Sequence, residues 1–187
     1  MTKKLTWGLA VPMFVTAAYL AAQSQQAVTF VSHDQVGGCA KGGSLAKGPD
    51  LLVEAIPHIV KFHPHAKFVF AGDGEMRASV EHRSHQLGIA HATRFLGFQT
   101  NGTLTNLYKA CDVVCVPSRN EPFGIVLLEG WSAGKPVVST VNGGPAEFVW
   151  HEVNGLKVYA RPESIAWGIG TLFTNFEWAR WMGHNGR

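Results

Sequence analysis

A chain of 187 residues is long enough for one domain with a substantial core and short for two, so we expect one domain plus an appendage. Apolar residues make up 46% of the chain and charged residues 16%, and glycine occurs 21 times, which favours a well-packed α/β protein and argues against extensive disorder. The formal net charge is only +3 and the lysines and arginines are scattered, which argues against a nucleic-acid partner.

The first 26 residues differ in character from the rest. Two lysines precede residues 5–22, a stretch without a charged residue that ends in small residues. This order is typical of a secretory signal or signal anchor. The stretch approaches the length of a membrane span, although Gly8 and Pro12 weaken that interpretation. Two interpretations stay open: membrane association through residues 5–22, or a remnant helix of an incomplete domain.

From residue 27 onward, short β-branched runs alternate with longer helix-like stretches, the pattern of repeated βα units and hence of a parallel sheet. The predicted strands lie at residues 27–32, 67–71, 93–96, 112–116, 136–140 and 155–158. The predicted helices lie at residues 49–62, 75–87, 104–110, 123–133 and 162–173. The predicted fold is an α/β single Rossmann-like domain over residues 27–187, with a parallel sheet flanked by helices.

A glycine-rich loop precedes the helix predicted at Pro49. Five glycines fall between residues 37 and 48, interleaved with Lys41 and Lys47. Such a loop, placed between a strand and a helix, can bring backbone N–H groups and an ammonium towards phosphate. It matches neither the dinucleotide fingerprint nor the P-loop. Phosphate contact by Lys47 and a flexible connection both remain open.

Cysteine and histidine show no metal-binding pattern. The three cysteines are an odd count, and Cys111 and Cys115 lie within a strand-like apolar run, so we expect both to be buried small hydrophobes. The histidines have no spacing that matches a metal site, and we assign them to the surface. They include His63, His65, His82, His85 and His91.

Two glutamates, Glu121 and Glu129, mark the candidate site. The apolar strand predicted at residues 112–116 runs into a polar loop that contains Glu121. Gly124 then opens the predicted helix that contains Glu129. In an open α/β sheet this junction lies at the carboxyl edge of the strands, where ligands bind. The free N–H groups at the helix start can receive a diphosphate, aided by the helix dipole. They belong to Phe123, Gly124, Ile125 and Val126.

Each glutamate has a ligand interpretation and a structural one. Glu121 can accept hydrogen bonds from sugar hydroxyls, and Glu129, roughly two turns further on, can bind a ribose diol. The missing side chain of Gly124 would let the ligand approach the backbone closely. The alternative is that the dipole favours Glu121 at a helix start whatever its function, and that Glu129 is a solvated or ion-paired helix residue.

The order and spacing of several short motifs resemble the C-terminal domain of a large family of retaining glycosyltransferases that includes glycogen synthases, sucrose synthases and bacterial mannosyltransferases. The matching motifs lie at residues 47–52, 70–74, 95–97, 117–118, 121–129, 134–138, 143–144 and 154–155. The resemblance implies the GT-B architecture, in which two Rossmann-like domains face a cleft, and this chain would supply one half of it.

The resemblance also implies a ligand and residue roles. The donor would be a nucleoside diphosphate sugar, linked to UDP, GDP or ADP, and no metal or other cofactor would be needed. The implied catalytic residues are Glu121, holding the donor sugar, and Lys47, meeting the diphosphate. The implied donor-binding groups are the amides of Phe123, Gly124, Ile125 and Val126, the Glu129 carboxylate at the ribose, the backbone of Phe98 and Gln99 at the base, and the Gly143 and Gly144 loop.

Two departures from the family pattern limit what the resemblance implies. Relatives carry an arginine a few residues ahead of the lysine matched by Lys47, but residues 32–46 contain none, and Lys41 cannot reproduce a guanidinium fork. The acceptor-binding domain of such enzymes has no counterpart before Val28. We therefore expect a separate acceptor-binding domain or chain. As a separate expectation, we place the protein in the cytoplasm or on the cytoplasmic face of a membrane.

Three functional hypotheses follow. The chain is the donor-binding part of a glycosyltransferase and is inactive alone, or it is a module that binds a nucleotide or nucleotide sugar without catalysis, or it is a truncated inactive product. Binding of nucleotide sugars separates the third from the first two, and hydrolysis of the donor separates the first from the second.

Overall fold

The computed structural model describes residues 27–31 and 44–187. Within these ranges six parallel strands form one sheet in the order β3-β2-β1-β4-β5-β6. The strands are β1 (Ala27–Val31), β2 (Lys67–Ala71), β3 (Thr93–Gly97), β4 (Val113–Val116), β5 (Val137–Thr140) and β6 (Leu156–Val158).

Helices connect the strands and cover both faces of the sheet. They are α1 (Pro49–Val60), α2 (Arg77–Gln86), α3 (Asn101–Ala110), α4 (Ile125–Ser132), α5 (Pro145–Phe148), α6 (Pro162–Thr174) and α7 (Phe176–Gly186). A short 3-10 helix, Ser44–Lys47, leads into α1. The predicted α/β Rossmann-like fold is confirmed.

The apolar runs form strands because both faces of the sheet are buried. In β4, Val113 and Cys115 face a core shared with α1, α2, α6 and α7, whereas Val114 and Val116 face a second core shared with α3, α4 and α5. Every residue of β4 is buried. A strand buried on both faces reads as a continuous apolar run, which is why its position could be predicted.

The helix boundaries differ from prediction in informative ways. The helix predicted from residue 123 begins at Ile125, because Gly124 has a φ of 92° and lies in the left-handed region, which ends any helix that reaches it. Two helices, α5 and α7, were not predicted. In α7 the buried side is made of Ala179, Met182 and Gly183.

The cysteines and most histidines lie as predicted. Cys111 and Cys115 are buried and free, and burial raises the pKa of both thiols, that of Cys111 to about 11. His63 is the exception, since it is half-buried with its ring edge against Phe173, at a centroid distance of 5.3 Å. The remaining named histidines are exposed.

The described ranges contain neither a membrane-spanning helix nor a cluster of metal-ligating side chains. No helix there is long and apolar enough to cross a membrane. No group of three or more metal-ligating side chains was found among the same residues. The apolar stretch at 5–22, together with Cys39 and Lys41, lies outside the ranges that the structure describes.

Candidate functional site

The strand order places a crevice between β1 and β4. The chain runs from β1 outward to β2 and β3 on one side, and from β4 outward to β5 and β6 on the other. The connections that leave β1 and β4 at their carboxyl ends therefore diverge, and such a switch point is where open α/β sheets bind ligands. Lys47 lies after β1 and Glu121 after β4, so the fold brings both predicted residues to this crevice.

Lys47 and Glu121 form an ion pair across the crevice. The Lys47 Nζ lies 3.0 Å from Oε2 and 3.3 Å from Oε1 of Glu121. Ser118 Oγ donates a third hydrogen bond to Oε2 at 3.1 Å. Glu121 is 8% exposed, and a carboxylate this buried is costly without such partners. The ion pair and the serine together hold the carboxylate in one position.

The loops that carry this pair touch backbone to backbone. Gly48, directly after Lys47, has a φ of 70°, and a Cβ there would lie 2.2 Å from the Pro117 carbonyl oxygen. No other residue fits this position, because a side chain would both strain the backbone and displace the loop after β4. Gly48 thus fixes how closely the Lys47 side of the crevice approaches the Glu121 side.

Gly143 and Gly144 support Glu121 from the loop after β5. The Gly144 N–H donates to the Glu121 carbonyl oxygen at 2.8 Å. A Cβ on Gly143 would lie 2.1 Å from the same oxygen, and one on Gly144 would lie 2.4 Å from the Pro122 carbonyl oxygen. Both glycines are therefore needed for close packing against the Glu121 backbone, and they lie beside the predicted donor site.

The start of α4 corrects one sequence interpretation. The amides of Ile125 and Val126 are in the first turn and have no intrahelical acceptor, whereas Phe123 and Gly124 precede the helix. A Cβ on Gly124 would lie 3.0 Å from Pro145 Cγ. The missing side chain therefore makes room for protein atoms and for the left-handed backbone, and its role in letting a ligand approach stays a prediction.

Glu129 lies apart from Glu121, on α4 about 6 Å along the helix axis from its first residue. The Tyr108 hydroxyl donates to Glu129 Oε2 at 2.6 Å. A cavity of about 380 Å³ lies between α3 and α4, where both side chains contribute to its lining. Glu129 is half-buried at this cavity and is not simply solvated.

Phe98 and Gln99 follow β3, the edge strand farthest from β6. Three strand spacings, roughly 14 Å, separate β3 from β4. Phe98 is 47% exposed, and the Gln99 side-chain amide donates to the Leu96 carbonyl oxygen at 2.7 Å. The structure places these two residues on the same carboxyl edge as Glu121 but does not bring them into contact with it.

Sequence reasoning missed four partners of the site residues. Ser118 bonds Glu121, Tyr108 bonds Glu129, and Arg119 pairs with Asp50 beside Lys47. Ser118 stands three positions before Glu121 in a polar loop, a spacing that suggests a local hydrogen bond. The other two contacts join distant parts of the sequence and had no local signal.

Comparison with known proteins identifies relatives. The family model of the glycosyl transferases group 1 matches residues 38–187. An uncharacterised glycosyltransferase of Methanocaldococcus jannaschii is 45% identical over 142 residues, which cover 75% of this chain and 36% of that protein. The D-inositol 3-phosphate glycosyltransferase of Saccharomonospora viridis is 40% identical over 121 residues, which cover 60% of this chain and 28% of that protein.

Two solved structures are also similar. Anabaena Alr3699/HepE in complex with UDP-glucose matches with a TM-score of 0.77 and 26% identity, over 95% of this chain and 47% of that chain. The sucrose-phosphate synthase of Thermosynechococcus elongatus matches with a TM-score of 0.79 and 27% identity, over 94% and 43%. The chain spans less than half the length of each of these four proteins. The chain has the fold of one half of a GT-B enzyme. It belongs to the glycosyl transferases group 1 family.

Proposed function

We propose that this chain is the donor-binding half of a retaining glycosyltransferase, and that a separate domain or chain supplies the acceptor site. The donor is a nucleoside diphosphate sugar, bound along the carboxyl edge of the sheet. The observation that carries the proposal is the Lys47–Glu121 ion pair at the crevice between β1 and β4.

The two members of this pair suit different parts of such a donor. An ammonium group has three donors for phosphate oxygens, and a carboxylate accepts hydrogen bonds from sugar hydroxyls. In the structure the charges of Lys47 and Glu121 compensate each other. A nucleoside diphosphate sugar brings both kinds of partner at once, so neither charge is left buried and unpaired when it binds.

The start of α4 adds to the anion site. The free amides of Ile125 and Val126 and the positive end of the helix dipole favour a diphosphate beside Glu121. The Phe123 and Gly124 amides lie on the approach to this helix. Transfer of the sugar leaves negative charge on the departing diphosphate, which Lys47 and these amides stabilise without a metal ion.

The rest of the donor extends towards β3. Glu129, beside the cavity between α3 and α4, binds the ribose hydroxyls, and the backbone at Phe98 and Gln99 borders the base. The separation of roughly 14 Å between β4 and β3 suits an elongated ligand. The UDP-glucose bound by the Anabaena neighbour is of this chemical class and supports the proposal.

Calorimetry with UDP-glucose, GDP-mannose and ADP-glucose tests the proposal directly. We expect one of the three to bind the wild-type chain, and Glu121→Gln and Glu129→Ala each to weaken that binding at least about tenfold, since each removes charge-assisted hydrogen bonds. Glu177→Gln is the matched control, because Glu177 is an acid on α7 whose side chain is 90% exposed. No binding of any donor by the wild type would contradict the proposal.

A second candidate function is a module that binds the same ligand without catalysis. The absence of arginine from residues 32–46 favours it, because a single lysine gives a weaker diphosphate clamp than a lysine with an arginine fork. Proton NMR of a bound donor separates the two functions. Slow hydrolysis that releases the sugar with its original anomeric configuration supports a retaining transferase, whereas stable binding without turnover supports the module.

A further inference from the structure

We propose that Arg119 is a positioning residue that holds Lys47 in place for the diphosphate. The residues concerned form a structural unit, here called the Arg119 clamp, made of Arg119, Asp50 and the 3-10 helix Ser44–Lys47. The inference rests on the proposed function for its ligand, and on hydrogen-bond geometry for its mechanism.

The Arg119 guanidinium forms a bidentate salt bridge with the Asp50 carboxylate. Its Nη1 lies 2.8 Å from Oδ1, and its Nη2 lies 2.6 Å from Oδ2. Asp50 stands in the first turn of α1, three residues after Lys47. Parallel hydrogen bonds of this kind fix orientation as well as distance, and a lysine cannot reproduce them.

Two further hydrogen bonds run from Arg119 to the 3-10 helix itself. Nη1 also donates to the Leu45 carbonyl oxygen at 2.8 Å, and the Arg119 backbone N–H donates to the Ala46 carbonyl oxygen at 2.8 Å. The Asn142 side chain donates to the Arg119 carbonyl oxygen at 3.2 Å, which braces the clamp from the loop after β5. Arg119 thus joins three loops at the carboxyl edge.

These bonds hold the 3-10 helix together with the close packing of Gly48 on Pro117 and the Lys47–Glu121 ion pair. It has only four residues, and helices this short are not stable alone. Leu45, its large apolar residue, is 56% exposed, so burial contributes little. Arg119 also precedes Glu121 by two residues in the same loop. It therefore sets where the Lys47 ammonium lies relative to the Glu121 carboxylate.

The first test compares nucleoside diphosphates with monophosphates. Calorimetry uses whichever of UDP, GDP and ADP binds, together with its monophosphate. We expect Arg119→Ala and Arg119→Lys each to weaken diphosphate binding about tenfold and to change monophosphate binding much less, because Lys47 meets the second phosphate. An equal loss for both ligands would overturn the inference.

A double-mutant cycle with Lys47 separates positioning from general damage. If Arg119 acts through Lys47, then Arg119→Ala has no further effect on diphosphate affinity in the Lys47→Ala background. Losses that add in the double variant would overturn the inference. Thermal unfolding of each variant checks that it is folded at the temperature of the binding measurement.

The second test needs no nucleotide. Trypsin cleaves after lysine, and the rate of cleavage at the Lys47–Gly48 bond reports how firmly the 3-10 helix is held. Asp50→Asn removes the charged partner of Arg119 in the clamp without removing a cleavage site, and we expect cleavage of that bond about tenfold faster than in the wild type. Glu54→Gln is the matched control, since Glu54 is also on α1 and the change breaks its ion pair with Arg83 of α2.

The two tests distinguish failure of the Arg119 clamp from failure of the proposed donor site. Faster cleavage in Asp50→Asn without binding of any nucleotide refutes the proposed donor site and leaves the clamp supported. Nucleotide binding with unchanged cleavage in Asp50→Asn overturns the clamp and leaves the donor site standing. Faster cleavage in Glu54→Gln as well would also overturn the clamp, because it would show that any change on α1 loosens this bond.

Discussion

Tyr108 donates its hydroxyl hydrogen to Glu129 from the neighbouring helix, with 2.6 Å between the oxygen atoms. Tyr108 is 4% exposed. Burial, and secondly the hydrogen bond to Glu129, raise the pKa of Tyr108 far above its ordinary value, so its hydroxyl stays protonated at any pH of interest. The tyrosine is therefore a permanent hydrogen-bond donor to Oε2 of Glu129.

Tyr108→Phe removes this hydrogen bond and keeps the ring. We expect the free energy of unfolding to fall by about 1–2 kcal/mol, because a hydrogen bond to a charged group is lost inside the protein. If Glu129 binds ribose, donor affinity falls as well. Urea unfolding and calorimetry measure the two effects, and Tyr159→Phe, at a tyrosine that is 61% exposed, is the control. Unchanged stability in Tyr108→Phe would contradict the importance of this contact.

Lys47→Ala removes the counter-ion of the Glu121 carboxylate and leaves its hydrogen bond from the Ser118 hydroxyl. We expect a loss of about 1–3 kcal/mol of stability, because a nearly buried charge loses its counter-ion. The double variant Lys47→Ala with Glu121→Gln removes the charge as well, so it should be more stable than Lys47→Ala alone. Urea unfolding of the single and double variants measures the coupling, and simple addition of the two losses would show that the pair does not interact.

Gly143→Ala tests the close packing behind Glu121. The φ of Gly143 is 79°, and the added Cβ would lie 2.1 Å from the Glu121 carbonyl oxygen. Gly88 has a similar φ of 71° with no atom near its Cβ position, so Gly88→Ala isolates the cost of the backbone conformation, about 1 kcal/mol. We expect Gly143→Ala to be less stable than Gly88→Ala by at least about 1 kcal/mol and to weaken donor binding. Equal losses would mean that the loop moves aside freely.

The lowered pKa of His63 should make the protein less stable in acid. Burial lowers the pKa of His63 below its ordinary value of 6.5, so between the two values the unfolded chain binds more protons than the folded one. Stability is therefore lost as the pH falls through 6.5 towards the lowered pKa of the folded state. His63→Phe keeps a ring against Phe173 and removes the titration. Urea unfolding between pH 7.5 and about pH 5 should give a shallower decline for this variant than for the wild type.

The sequence predicted the sheet better than the site because different distances along the chain are involved. The strand β4 is recognisable from a few adjacent residues, since burial on both faces makes it continuously apolar. The Lys47–Glu121 contact spans 74 positions and the Arg119–Asp50 contact spans 69. Such contacts follow from the strand order, which the alternation of strands and helices does not determine.

Local backbone conformation and tertiary packing account for the other errors. The start of α4 depends on the left-handed backbone at Gly124, and the sequence shows the glycine but not its φ. In α7, a Cβ on Gly183 would lie 2.4 Å from the Gly134 carbonyl oxygen, so this helix is packed through a bare backbone surface.

The strand order divides the sheet into two halves that meet where β1 lies beside β4, and both ion pairs described above cross that line. Neither half alone contains the site. A partly folded chain with only one half formed would therefore lack part of the proposed donor site, and a bound donor would favour molecules in which the two halves are docked. Hydrogen exchange with and without ligand should show protection extending to the strands of both halves, including those that contact no ligand atom.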